Sequence, residues 1–254
     1  RSDRSDAEPI GPTMEREVPG HARPGRQTRG MADALFPTAV PAESGWHRYT
    51  TARQTPGDTG SVVVYGAELP TEADLKLLGT VEGARILDLG CGTGRNAVAL
   101  AQAGAKVLAV DPSAELLGAA RDRCDAAEVR VELHQAELAE LAFLRSDSID
   151  AAISVMALGS VDDLARVFRQ VHRVLKPEAP LVCSVPHPAF AMLDPTAPDP
   201  LRIVHAYDDN APRPWELDGN EVVDRPRTFA DLFTTFQRSN FRVDQVIEPT
   251  ASGP

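Results

Sequence analysis

Short apolar runs alternate with amphipathic stretches through the middle of the chain. The apolar runs have the length of buried strands, and the amphipathic stretches repeat apolar side chains at the three- and four-residue spacing of helices. This alternation predicts a doubly wound α/β fold, with a mostly parallel sheet and helices on both faces. The predicted strands span residues 85–89, 106–110, 129–133, 149–155 and 180–185, and the predicted helices span residues 95–103, 113–127 and 161–175.

The N-terminal part of the chain lacks this alternation and divides into two sections. Residues 1–32 are rich in Arg, Pro, Gly and Ser, and they hold too few large apolar side chains to offset the entropy of ordering. We therefore predict a disordered tail there. Residues 33–80 contain several aromatic side chains and a capping-box pattern from Thr71 to Asp74. They predict a helical and aromatic cap, with a short helix at residues 75–78.

The rest of the chain, residues 81–254, is predicted to form one domain that carries an insertion. Proline recurs throughout residues 186–226, and the regular alternation of strands and helices stops there. Inside this insertion, residues 202–207 have the composition of a strand. A helix at residues 228–240 and a last strand at residues 241–249 follow, so we expect six strands in the sheet.

Charge and composition narrow the classes of partner. The 254 residues include 26 Lys and Arg against 37 Asp and Glu, which gives a net charge of -11. Such an acidic surface repels phosphate backbones, so nucleic acids and anionic membranes are poor candidate partners. The three cysteines, Cys91, Cys124 and Cys183, lie far apart with no Cys/His cluster, which predicts no metal site and fits a reducing cytoplasm. We expect a cytoplasmic protein that acts on a small molecule.

Three glycines, Gly90, Gly92 and Gly94, separate the first predicted strand from the helix that follows it. Glycine lets a backbone turn sharply and approach a ligand at positions where a Cβ atom would collide. The N-terminus of the following helix attracts a carboxylate or a phosphate. Asp111 ends the second predicted strand, where its carboxylate can accept hydrogen bonds from both hydroxyls of a ribose. The turn and the acid together predict a ligand that contains a nucleoside.

The glycine turn fits two nucleoside cofactors. Counted from Gly92 to Ala97, it matches the dinucleotide pattern GxGxxA, which favours an NAD(P)-dependent oxidoreductase. Counted from Asp88, it reads Asp-X-Gly-X-Gly-X-Gly. A carboxylate at Asp88 suits a ligand with an ammonium group or a nearby positive centre, whereas it would sit poorly beside a pyrophosphate. The second interpretation therefore favours S-adenosylmethionine.

Two segments resemble a known family. Residues 86–113, ILDLGCGTGRNAVALAQAGAKVLAVDPS, are similar to the first two motifs of class I S-adenosylmethionine-dependent methyltransferases. Val171–Pro177, VHRVLKP, resembles the segment before the fifth strand of that family, although Glu178 and Ala179 replace its two glycines. The resemblance implies a Rossmann-like fold and S-adenosylmethionine as the cofactor, and its motifs do not specify the acceptor. Given the acidic charge, we expect methyl transfer by direct displacement to a small-molecule acceptor, and we place the reaction in specialised metabolism.

The same resemblance implies a cofactor site residue by residue. Gly90, Cys91 and Gly92 would line the methionine part, and Asp88 would lie near its amino group. Asp111 would hold the ribose hydroxyls. The remaining positions are Gln135 and Ala136 beside the adenine and Ser154 at the edge of the same crevice.

The acceptor is expected outside the carboxyl ends of the fourth and fifth strands. His187 directly follows the fifth strand, and an imidazole is suited to removing a proton from a hydroxyl or an acidic carbon. The alternative is that His187 packs between two prolines. Tyr65 would close over the cofactor or else pack in the core, and the same choice applies to Trp46, Tyr49 and Trp215.

The resembling family has a sheet of seven strands, and the sequence supplies six. A closing C-terminal strand is therefore expected to be absent, which would leave unpaired backbone groups between the last two strands. A truncated chain, a substitute strand from the insertion, or pairing with another subunit would explain this, and the last option predicts a homo-oligomer. A non-catalytic S-adenosylmethionine-binding module stays open as an alternative function.

Overall fold

The structure, a computed structural model, describes residues 62–66, 69–193, 202–217 and 220–249. Short 3-10 helices span Leu158–Ser160 and Pro188–Met192. The strands are β1 (Arg85–Leu89), β2 (Lys106–Asp111), β3 (Val131–Gln135), β4 (Ala151–Val155), β5 (Leu181–Ser184), β6 (Arg213–Leu217) and β7 (Asn220–Asp224). The α-helices are α1 (Glu72–Leu75), α2 (Arg95–Gln102), α3 (Ala114–Ala126), α4 (Leu164–Val174) and α5 (Phe229–Arg238).

Strands β1 to β5 form a parallel sheet in the order β3-β2-β1-β4-β5. The chain moves outward from β1 through β2 to β3, and then crosses back to place β4 on the other side of β1. Parallel strands of this kind place ligands in the crevice outside their carboxyl ends, at the point where the strand order reverses. The predicted doubly wound α/β fold is confirmed, and the crevice lies beyond β1, β2 and β4.

The two faces of the sheet carry separate apolar clusters, because successive side chains of a strand point to opposite faces. Leu87 and Leu89 of β1 belong to the cluster that Phe168 of α4 completes. Ile86 of β1 belongs to the other cluster, which includes Leu100 of α2. Burial on both faces explains why these strands read as continuous apolar runs rather than as alternating ones. Among the described helices, none is long and apolar enough to cross a membrane.

The predicted last strand, residues 241–249, is wrong. Within the described ranges this segment has no strand pairing, and Val246 is 54% exposed. An apolar and polar alternation becomes a strand only where a neighbour supplies hydrogen bonds, and β5 ends the described sheet with no partner beyond it. The described parallel sheet therefore has five strands rather than six.

The insertion also differs from its prediction. Residues 202–207 do not form a strand, and Ile203 makes only an isolated bridge to Leu193. Instead, β6 and β7 pair in antiparallel register further along the chain. The sequence between them, Asp218-Gly219, is a common signal for a two-residue hairpin turn, and it would have predicted this pair.

Two smaller boundaries also move. The capping box at Thr71 is present, but it opens α1 at Glu72 rather than at residue 75, and Lys76 ends the helix in a left-handed conformation. Strand β3 begins at Val131, two residues later than predicted. The predicted tail lies outside the described residues, as does most of the predicted cap.

Candidate functional site

The turn between β1 and α2 is fastened to the end of β2 by its own backbone. The N–H groups of Gly90 and Cys91 both donate to the carbonyl oxygen of Val110, at 2.8 and 3.1 Å. The N–H of Gly92 donates to Oδ2 of Asp111 at 2.9 Å. The motif therefore fixes its shape through the neighbouring strand, before any ligand is considered.

Gly90 and Gly92 meet different requirements. Both have positive φ, +76° at Gly90 and +54° at Gly92. A Cβ atom on Gly90 would lie 2.2 Å from the Cβ of Ala157, in the loop after β4. A Cβ atom on Gly92 would meet nothing within 4 Å. Gly90 is thus required by packing inside the protein, whereas Gly92 borders open space that a ligand can enter.

Asp88 is a buried carboxylate with one unused oxygen. It is 2% exposed, and the backbone N–H of Ala97 donates to it. Its Oδ2 atom has no hydrogen-bond partner within the described residues. Burial, and secondly the charge of Asp111, raise the pKa of Asp88 to about 7. A buried acid with a free oxygen beside the glycine turn fits a ligand with an ammonium group, since a cation would stabilise its charged form.

Asp111 is the second buried acid of the site and is 6% exposed. Its Oδ1 accepts from the N–H of Ser113 at 2.9 Å, while Oδ2 holds Gly92. Burial raises the pKa of Asp111, and the hydrogen bonds from Ser113 and Gly92 lower it. Each carboxylate oxygen can accept more than one hydrogen bond, so both keep a lone pair for ribose hydroxyls. The site therefore fits a cationic nucleoside better than a pyrophosphate.

The residues predicted beside the adenine lie at the exit of β3. The N–H of Ala136 donates to the carbonyl oxygen of Asp111 at 3.3 Å, and Nε2 of Gln135 donates to the carbonyl oxygen of Pro112 at 3.2 Å. Both residues therefore border the end of β2. Ser154 is fully buried, and its hydroxyl donates to the carbonyl oxygen of Leu89 at 2.7 Å. That bond ties the end of β4 to the end of β1.

Tyr65 packs in the apolar cluster that includes Ile86 and Ala97. It is 4% exposed, and its hydroxyl donates to Oε2 of Glu72 at 2.6 Å. The preceding residue, Val64, exchanges two 2.9 Å hydrogen bonds with the side chain of Asn96 in the first turn of α2. The predictions for Trp46 and Tyr49, and for the side chain of Trp215, fall outside the described part of the structure.

His187 caps the short helix that follows β5. Its Nδ1 accepts from the N–H of Ala189 at 3.1 Å, and its Nε2 lies 2.9 Å from Oε1 of Glu248. Because Nδ1 accepts, the proton belongs on Nε2, which donates to Glu248. Glu248 lies 61 residues away in the chain, and no sequence signal pointed to it.

Within the described residues, no group of three or more His, Cys, Asp or Glu side chains could hold a metal ion. The groups described at the crevice are two buried acids, a glycine turn and one imidazole. These groups can bind a cationic nucleoside and accept a proton.

Residues 86–178 match a family model described as a methyltransferase domain. The magnesium-protoporphyrin O-methyltransferase of Rhodobacter capsulatus is 32% identical over 155 residues, 59% of this chain and 67% of that protein. The ubiquinone biosynthesis O-methyltransferase of Xanthomonas oryzae pv. oryzae is 35% identical over 102 residues, 40% of this chain. The chain spans 43% of the length of that second relative.

Two solved structures share the fold. A structure from Listeria monocytogenes superposes with a TM-score of 0.60 and 26% identity, over 70% of this chain and 86% of the other. An S-adenosylmethionine dependent methyltransferase from Mesorhizobium loti superposes with a TM-score of 0.52 and 29% identity, over 67% of this chain and 80% of the other. The matched regions include the glycine-turn motif in the family comparison.

Proposed function

Because the chain belongs to the class I S-adenosylmethionine-dependent methyltransferases, we propose that it transfers a methyl group to a small-molecule acceptor by direct displacement. The observation that carries the proposal is the unpartnered oxygen of the buried Asp88, next to a turn whose Gly92 borders open space. S-adenosylmethionine, when bound, supplies an electrophilic methyl group on a positively charged sulfur. The two buried acids at this end of the crevice, Asp88 and Asp111, are suited to a cation and to ribose hydroxyls.

Different residues of the site would contact different parts of the cofactor. Asp88 accepts from an ammonium group, and Asp111 accepts from ribose hydroxyls while it holds Gly92 in place. Gly90 and Cys91 supply the backbone wall of the turn. Gln135, Ala136 and Ser154 form the border of the site, and Val64, which precedes the buried Tyr65, bonds to Asn96 in the first turn of α2.

The acceptor proposed here is an apolar molecule that carries a hydroxyl group. Ile203 is 63% exposed, and Val204 beside it is also exposed. The N–H groups of Val204 and His205 donate to the carbonyl oxygen of Met192, so this apolar stretch lies against the turn that follows β5. The curated relatives described above are O-methyltransferases by name, which agrees with a hydroxyl acceptor.

His187 is proposed as the group that removes the hydroxyl proton. The proton would pass to Nδ1 once that atom gives up its bond to Ala189, and the resulting imidazolium would stay paired with Glu248 through Nε2. The proton then leaves to solvent, because the His187 side chain is 56% exposed. Positioning supplies the larger part of the rate in a displacement of this kind, and proton removal supplies a smaller part.

We also propose a cytoplasmic enzyme of specialised metabolism without a nucleic-acid or membrane partner. The net charge of -11 supports this, because it repels polyanions. A homo-oligomer is proposed as well, since within the described sheet the outer edge of β5 has no strand beside it.

Calorimetry with S-adenosylhomocysteine and with NADH tests the cofactor assignment. We expect heat with the first compound and none with the second. Transfer of a labelled methyl group to a panel of apolar phenols then tests the acceptor class. Binding of NADH alone would overturn the proposal, and binding of S-adenosylhomocysteine without transfer to any acceptor would favour a non-catalytic binding module.

A further inference from the structure

The loop after β4 is held by an arginine that comes from the far side of the insertion. The guanidinium of Arg227 donates to the backbone carbonyl oxygens of Leu158, Val161 and Asp162, the first at 3.4 Å and the last at 3.3 Å. These carbonyls belong to the loop after β4, which also contains Ala157, the residue that lies against Gly90. The side chain of Arg227 therefore connects the residues after β7 to the loop that packs against the glycine turn.

A second attachment reinforces the first. The backbone N–H of Arg225 donates to the carbonyl oxygen of Gly159 at 3.0 Å, and its guanidinium lies 3.0 Å from a carboxylate oxygen of Asp162. Arg225 directly follows the last residue of β7, Asp224. The end of the hairpin is thus fixed to the loop after β4 by both backbone and side chain.

The other end of the hairpin is held in the same manner. Arg213 is the first residue of β6, and its guanidinium donates to the carbonyl oxygen of Ala191, in the turn after β5. The same guanidinium also donates to the backbone carbonyl oxygen of Asp209, at 3.1 Å. A planar guanidinium with five N–H groups can tie several carbonyls at once, which the single ammonium of lysine cannot do in the same geometry.

The two attachments place the hairpin between the loops that end β4 and β5. Those loops border the acceptor side of the crevice, because ligands of open α/β sheets lie beyond the carboxyl ends of the strands. The described ends of the hairpin therefore cannot shift without breaking the hydrogen bonds of either Arg213 or Arg227. Among the described residues, the loop that Arg227 holds also contains Ala157, which lies against Gly90 of the glycine turn.

We propose that Arg213 and Arg227 are positioning residues that form a clamp: they hold the described ends of β6 and β7 against the loops after β5 and β4, which border the acceptor side, and Arg227 also keeps the loop after β4 packed against the glycine turn. This inference rests on the proposed function for the identity of the two ligands, but the clamp itself is a property of the ligand-free chain.

Hydrogen–deuterium exchange and calorimetry with S-adenosylhomocysteine test the two arginines separately. Arg227→Met is expected to speed amide exchange in residues 157–162 by about tenfold and to weaken S-adenosylhomocysteine binding by about five- to tenfold, because several charged hydrogen bonds are lost. Arg213→Met is expected to speed exchange in residues 188–192 and to leave binding within about twofold of the native value. Arg227→Lys should fall between native and Arg227→Met, since it keeps the charge and loses the fork.

Arg242→Met is the matched control, because Arg242 makes exposed ion pairs with Asp244 and Glu178. It should change neither loop exchange nor binding. With an acceptor from the phenol panel, Arg213→Met should raise KM and leave kcat nearly unchanged, which a general loss of stability would not do.

The clamp is overturned if Arg227→Met leaves the exchange of residues 157–162 unchanged, or if Arg213→Met weakens S-adenosylhomocysteine binding as strongly as Arg227→Met. Arg227→Lys decides the question if the methionine variant does not fold. Failure of the native chain to bind S-adenosylhomocysteine would instead refute the proposed function, and the exchange measurement on the ligand-free chain would still test the clamp.

Discussion

The crevice has a proposed cofactor end, around the glycine turn, and a proposed acceptor end, around His187. Contacts at the two ends join residues that lie at different separations along the chain. At the cofactor end, the bond that shapes the turn joins Gly92 to Asp111, 19 residues away. At the acceptor end, His187 pairs with Glu248 across 61 residues, and Arg227 reaches Leu158 across 69. A site formed by one strand–turn–helix–strand unit can be recognised as a contiguous motif in the sequence. A site formed by distant segments has no such local sequence pattern.

The two ends of the crevice also differ in burial: the proposed cofactor end is more buried than the proposed acceptor end. The acids of the cofactor end, Asp88 and Asp111, are nearly inaccessible, whereas most of the His187 side chain is exposed. Substitutions of buried polar groups change free energies more than those of exposed ones, because solvent cannot replace the lost partners. Effects on cofactor affinity should therefore decrease from the glycine turn toward His187, and the following variants test that order.

Gly90→Ala should have the largest effect, and Gly92→Ala is its matched control. The new Cβ of Gly90→Ala would overlap Ala157, so we expect a loss of about 3 kcal/mol or more in unfolding free energy and no measurable cofactor binding. Gly92→Ala should cost only about 1 kcal/mol from its positive φ, while its methyl group enters the ligand space and weakens binding. Denaturant unfolding and calorimetry measure both; equal destabilisation would contradict the division of roles.

Asp88→Asn should weaken S-adenosylhomocysteine binding by about 100-fold and yet stabilise the ligand-free protein at high pH. The pKa of Asp88 rises from 3.8 to about 7 on folding, so its charged form is disfavoured in the native state. Its contribution to stability is therefore best below about pH 4 and declines as the pH rises to about 7. Asparagine cannot ionise, so in denaturant titrations the unfolding free energy of the variant should rise relative to that of the native protein between about pH 4 and about pH 7 and stay constant relative to it above that. A stability difference that does not change with pH would refute this account.

Asp111→Ala should weaken cofactor binding by about 1–3 kcal/mol, because ribose hydrogen bonds are lost. It also removes the acceptor for the Gly92 and Ser113 N–H groups, so the unfolding free energy should fall as well. Asp111→Asn keeps one acceptor oxygen, so its affinity for S-adenosylhomocysteine in calorimetry should lie between those of the native protein and Asp111→Ala. Native affinity in the alanine variant would remove Asp111 from the ribose site.

His187→Ala should have the smallest effect on cofactor affinity, within about twofold, because it removes an exposed side chain at the acceptor end. Turnover should fall by about 100-fold or more if His187 removes the hydroxyl proton of the methyl acceptor. Added imidazole should restore part of the rate in a methyl-transfer assay. Glu248→Gln, which keeps an oxygen that can accept from Nε2, should retain more activity than His187→Ala. Full turnover of His187→Ala at every pH would leave this residue with a structural role only.

Much of the fold followed from the sequence, because its signals are local. Each strand of the parallel sheet lies within or overlaps a predicted apolar run, and the predicted helix at residues 113–127 is present as α3. The glycine turn and its acid also lie where the motif placed them. The segment at 241–249 failed for a different reason: its alternation is that of a strand, but pairing depends on a neighbour that a local pattern cannot supply.

The sequence alone determined the order of the five parallel strands and of the helices between them, the turn at Gly90 and the two acids beside it, since each depends on residues close together in the chain. The tertiary structure decided that Gly90 faces Ala157 and that Asp88 keeps one oxygen unpaired. It also decided that Arg213 and Arg227 fasten the insertion to the loops after β5 and β4. The physical reason is that side-chain contacts between distant segments form only when the whole sheet sets the positions of its loops.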